Sequence, residues 1–119
     1  MERIPAQHKS LWMPFRTTEI LYCLTPAKHL ETVLREGLMP RLDFFDDFAA
    51  IVLAYSRDPL YEPVHAFSVE GFRRQGEAMT RLHICTENQL YRSLFPNRTY
   101  QVISLSLIRP SDIMKIEKL

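Results

Sequence analysis

The chain predicts an α+β fold: a compact split or mixed β-sheet core with few short helices. Short apolar runs recur near residues 20–24, 50–55, 80–85 and 100–107 and read as strands. Only the segment 26–36 combines helical periodicity with clear start and stop chemistry. Pro59, Pro63, Gly71 and Gly76 punctuate the middle of the chain, so no long regular element is expected there.

Residues 1–18 hold Pro5 and Pro14, mixed charge and no sustained period. They read as an irregular arm, pinned by Leu11, Trp12, Met13 and Phe15, ahead of a single domain over 19–119. The run 19–24 is short and mostly apolar, as a buried strand requires. Thr25-Pro26 then reads as a helix start, with Thr25 as N-cap and Pro26 where a missing N–H costs nothing. Ala27, Leu30, Val33 and Leu34 share a helical face, and Glu31 stands one turn from Arg35. Gly37 suits the C-terminal cap because a positive φ is easy for glycine.

The stretch 43–48 mixes acids with phenylalanines and fits a loop or a helical turn. A second strand over 50–55 ends at Arg57-Asp58-Pro59, and 64–69 fits either strand or helix. A third strand covers 80–85. The segment 87–94 reads as a short helix with Leu90, Tyr91 and Leu94 on one side, stopped by Pro96-Asn97. A strand over 100–107, a turn at 109–112 and a last element holding Ile113, Met114 and Ile116 complete the order.

Composition removes several classes of function. The chain has 119 residues, 46% hydrophobic and 24% charged, the balance of one folded domain. No run approaches the ~18 apolar residues that cross a bilayer, so no membrane partner is expected. The opening Met1-Glu2-Arg3-Ile4-Pro5 lacks a signal-peptide pattern, which points to the cytoplasm. Fifteen basic against fourteen acidic side chains give +1, too little for a bulk polyanion binder. Three glycines cannot write a Gly-rich phosphate loop. Cys23 and Cys85 are too few for a disulfide framework and read as reduced thiols in apolar runs.

Among chemistry-bearing residues, His83-x-Cys85 shares a strand face, with Cys23 on a strand that could lie alongside. CxxC and HxxxH spacings are missing, so no metal site is expected. The same spacing is poor for a Cys–His nucleophile, since such side chains run parallel. Arg73, Arg74 and Arg81 near Phe72, with Arg92, Arg98, Tyr91 and Tyr100, could form a basic aromatic surface for a single strand. A solvated charged face weighs more.

Three segments together carry a family resemblance. The unit Leu21-Tyr22-Cys23-Leu24-Thr25, followed by 30–38 ending in Gly37-Leu38, resembles the opening of the ADP-ribosyltransferase-like superfamily. That superfamily includes DNA-modifying toxins of the DarT kind and RNA 2′-phosphotransferases. The run 51–59 resembles its second core strand, and 101–105 with 108–113 resembles its late strand and the turn after it. The resemblance implies NAD as substrate and cleavage of its N-glycosidic bond. ADP-ribose would then pass to a protein or nucleic acid, in toxin–antitoxin or phage conflict. It implies nucleotide contacts from Tyr22, Thr25, Tyr55 and Ser56, and catalytic positions at Cys23 and Gln101. The family has His or Arg at the first of these and Glu at the second. A thiol and a neutral amide supply neither the donors nor the charge, so slow or absent turnover is expected. Glu77 and Glu87 are alternative carboxylates. The other expectations are a non-enzymatic nucleic-acid- or protein-binding module of the same fold, and a small assembly subunit touching its partner through the arm.

Overall fold

The computed structural model describes residues 4–42, 48–55, 78–96 and 101–119. The strands are β1 (Trp12–Phe15), β2 (Leu21–Pro26), β3 (Ile51–Ala54), β4 (Met79–Ile84), β5 (Leu90–Ser93), β6 (Gln101–Ser104) and β7 (Ile113–Lys118). The one α-helix among the described residues, α1, runs Leu30–Glu36. Among the described residues the strands form a single seven-stranded sheet in the order β1-β5-β6-β3-β2-β4-β7. Every pairing in it is antiparallel.

This corrects the expected fold class. Among the described residues, seven strands in one antiparallel sheet against a helix of seven residues make a mainly β structure, not an α+β one with a split or mixed sheet. Two expected elements account for the difference. The segment expected as a helix over 87–94 contains β5, hydrogen-bonded between β1 and β6. Its side chains alternate accordingly, with Leu90 packed in one core and Tyr91 against the other. Leu-Tyr-Arg-Ser has no strong preference of its own, and two flanking ladders decide its state. The expected irregular arm is also largely regular: a 3-10 turn at Ala6–Leu11 leads into β1, an edge strand of the sheet.

Strand alternation sorts the apolar residues onto two faces. Leu21 and Cys23, Ile51 and Leu53, Leu82 and Ile84, Leu90 and Val102 fill one core together with Val33 of α1, Leu38 and Ile108. On the opposite face Trp12, Val52 and Ile103 pack with Ile4, Phe48, Ala50 and Leu105. Burial on both faces explains why Ile51–Ala54 is apolar throughout. The sheet also curves around the first core. Flat, β1 and β3 would lie about 14 Å apart across three strand spacings, yet the Phe15 and Tyr55 rings, at the ends of these strands, have centroids 6.4 Å apart.

The helix unit is present but starts later than expected. Thr25 and Pro26 belong to β2, opposite Thr80 and Met79, and both are buried. Pro26 is extended (φ −57°, ψ 137°), which suits a strand end, and the next residue donates its N–H to the Ala78 carbonyl at 2.9 Å. A 3-10 turn at Ala27–His29 precedes α1, whose N-cap position is His29. Val33 is fully buried and Leu30 packs beside it, but Leu34 is exposed, one helical step off the contact line. Arg35 bonds its neighbour Glu36 at 3.3 Å rather than reaching back along the helix. Gly37 ends α1 as expected, at φ 82° with its N–H on the Val33 carbonyl. A Cβ there would stand 2.3 Å from the Ile108 carbonyl oxygen, so only glycine lets Leu38 and Ile108 bridge so closely.

The expected element at 64–69, and most of the loop 43–48, lie outside the described residues. Among the described residues no helix is long and apolar enough to cross a membrane.

Candidate functional site

Sheet register assembles a row of side chains. Gln101 of β6 stands opposite Ala54 of β3, Ala54 opposite Tyr22 of β2, and Tyr22 opposite His83 of β4. His83 in turn stands opposite Lys115 of β7. Directly opposed residues share a face of the sheet, so the row lies along one side. Tyr22 and Gln101 are two strand spacings apart, about 10 Å between their Cα atoms. Between them stands Ala54, which is fully buried, while Tyr22 and Gln101 on either side are half-buried.

A polar network continues the row. The Tyr22 and His83 rings meet edge to face, with centroids 5.0 Å apart at 79°. His83 Nε2 lies 2.9 Å from Glu117 Oε1, and Arg81 Nη1 donates to Glu117 Oε2 at 3.0 Å. Arg81 and His83 are both buried although their side chains are polar. Alternation along β4 explains this, for Leu82 and Ile84 take the opposite face. The hydrogen bond from His83, then that from Arg81, hold the Glu117 carboxyl below its ordinary value. The carboxylate thus fixes the imidazole against Tyr22 while shared with a guanidinium.

The expected site residues divide between the two faces. Tyr22 and Gln101 come together on the row. Cys23, the next residue along β2, is fully buried in the core of the other face, and Thr25 is fully buried with the same alternation. Cys23 therefore does not line the face that bears Tyr22, and it sits as a small apolar residue would. Tyr55 follows β3 and packs against the same core as Cys23. Burial pushes its hydroxyl pKa up, nearby Glu19 adds to the rise, and Arg92 opposes it. Ser56 lies outside the described residues.

Other candidates separate as well. Cys23 and His83 take opposite faces, so His83, Cys85 and Cys23 do not converge. Among the described residues no three His, Cys, Asp or Glu side chains are grouped to hold a metal. Neither cysteine is in a disulfide, and Cys85 Sγ donates to the Thr18 carbonyl at 3.5 Å. Arg81 is buried beside Glu117, not part of a solvated basic face. Arg92 lies 6.0 Å from the centre of the Phe15 ring, while Arg73, Arg74, Arg98, Phe72 and Tyr100 lie outside the described residues. Glu87 lines a separate open groove of about 610 Å³ with Arg16, Thr17, Thr18 and Glu19. Glu77 is outside the described residues.

Two of these outcomes had a sequence signal. Adjacent residues of a strand face opposite ways, so Tyr22 and Cys23 could not both line one cleft. Arg81 and His83, two apart on a strand, had to share a face. The partner Glu117 had none, because it arrives through a pairing with β7 far along the chain. Scanned against protein-family models and against curated proteins, the chain matches none.

Proposed function

We propose that this chain is a nucleotide-binding domain of the ADP-ribosyltransferase-like kind, acting in the cytoplasm. It takes NAD or a related nucleotide on the sheet face where Tyr22 and Gln101 keep part of their surface open. The observation that supports this reading is the adjacency of β2, β3 and β6. These strands hold three segments of the resemblance, remote in sequence, and their register puts Tyr22 and Gln101 on one face.

In the transfer reaction the bond between nicotinamide and C1′ of the ribose breaks, and nicotinamide leaves as a neutral molecule. The electron-poor C1′ is captured by a nucleophile of a protein or nucleic acid, which loses its proton to water. Positive charge grows on the ribose before capture, and a carboxylate beneath it lowers the barrier. Gln101 offers an amide, able to hydrogen-bond a ribose hydroxyl but carrying no charge. Binding is therefore expected to outlast catalysis in this chain. A place in toxin–antitoxin or phage conflict belongs to the same proposal.

The test joins titration calorimetry with NAD to a nicotinamide-release assay on wild type, Tyr22→Ala and Gln101→Glu. Wild type should bind with little release, Tyr22→Ala should bind more weakly, and Gln101→Glu should raise release by about 10²–10³-fold. Wild type that binds no NAD, yet captures nucleic acid or a protein, would overturn this reading in favour of an interaction module.

A further inference from the structure

The two edges of the sheet are unlike. At one edge β1 carries Pro14, which has no N–H to offer a further strand. At the other, β7 holds six residues, Ile113–Lys118, with no proline among them. Among the described residues β7 pairs with β4 alone. An edge of this length is a template for another strand unless its side chains repel one.

We infer that β7 pairs antiparallel with β7 of a second copy of this chain, about a two-fold axis at Ile116. Register and charge both favour this pairing. The Leu119 N–H donates to the Met79 carbonyl at 3.2 Å, one step beyond the pair Thr80–Lys118. Hydrogen-bonded pairs alternate along an antiparallel ladder. Lys115 and Glu117 therefore turn their backbone groups toward β4, while Ile116 and Lys118 turn theirs outward. A two-fold at Ile116 lets the Ile116 N–H and carbonyl of each copy pair with those of the other.

The same register sets Lys115 opposite Glu117 of the second copy, and Glu117 opposite its Lys115. Directly opposed residues share a face, so two cross-strand ion pairs form, both at non-hydrogen-bonded positions where side chains lie closest. Lys115 is exposed, and the Glu117 side chain keeps 32% of its surface open despite its bonds to Arg81 and His83. Charged residues on an edge commonly block pairing; here lysine, isoleucine and glutamate in sequence complement themselves under a two-fold. Six residues a side make a small interface, so the dimer is concentration-dependent and weakened by salt.

Sedimentation velocity over a range of protein concentrations tests this. Wild type should pass from monomer to dimer, with a Kd that rises in high salt. Lys115→Glu places like charges opposite each other twice and should raise Kd about tenfold or more. Glu117→Lys should do the same, and an equimolar mixture of the two variants should dimerise, because each supplies the charge the other lacks. Glu117 also holds Arg81 and His83, so a second variant guards against misfolding. Lys118→Pro removes an outward N–H and leaves the β4 pairing intact; it too should weaken the dimer. Wild type that stays monomeric at its highest soluble concentration overturns the inference, as does a dimer untouched by Lys115→Glu and Lys118→Pro.

Discussion

Glu117 concentrates the electrostatics of the candidate face in one carboxylate. Its two oxygens serve two partners, and His83 carries the constraint on to Tyr22 through an edge-to-face contact. The folded carboxyl titrates below its ordinary value of 4.5, because the charged form accepts both bonds. Stabilisation from Glu117 is present above its unfolded pKa and is lost as pH falls through the lower folded value. Glu117→Gln should therefore lower the urea midpoint at neutral pH and flatten its decline on acidification, since the variant has no carboxyl to protonate. Urea titrations from neutral pH to pH ~3 check this. An acid limb as steep in the variant as in wild type would assign that decline to other carboxylates.

At the scale of the element, α1 shows how far local chemistry reaches. The helix and its glycine stop were readable because Gly37 and the apolar spacing are contained within one segment. Its start was not. Thr25-Pro26 satisfies the rules of a helix entrance, yet β4 takes both residues into its ladder and the helix begins after a 3-10 turn. That delay also sets which side chain meets the sheet: Val33 is buried and Leu34 exposed. Val33→Ala should cost about 1–3 kcal/mol, from lost methyl burial and the cavity left behind. Leu34→Ala should stay within about 0.5 kcal/mol of wild type. Thermal or urea unfolding of the two variants separates these values. A larger loss at Leu34 would mean that the exposed side of α1 meets something in solution.

Across the whole molecule, every pairing that builds the sheet except that of β5 with β6 joins residues far apart in sequence, as where Trp12 of β1 stands opposite Ser93 of β5. This is why four core strands were legible from their apolar runs while their order, and the nature of β1 and β5, were not. A strand between two ladders can be read from its own residues only when they alternate strongly, and Leu-Tyr-Arg-Ser does not. The candidate face shows the same limit: Tyr22 and Gln101 were visible one at a time, but Ala54 between them and Glu117 beyond them depend on register. The N-terminal segment gives the clearest test of this non-local assembly. Trp12 is the chain's single tryptophan, and it is buried with Ile4, Phe48 and Ile103, which come from well-separated parts of the sequence. Its emission therefore reports whether β1 is docked on the rest. As part of one cooperative unit, β1 should leave only when the sheet itself melts. Unfolding followed by tryptophan fluorescence and by far-UV circular dichroism should then give superimposable urea curves, with native emission blue-shifted and poorly quenched by acrylamide. A fluorescence transition at lower urea than the dichroism transition would show β1 detaching first, as a separable arm would.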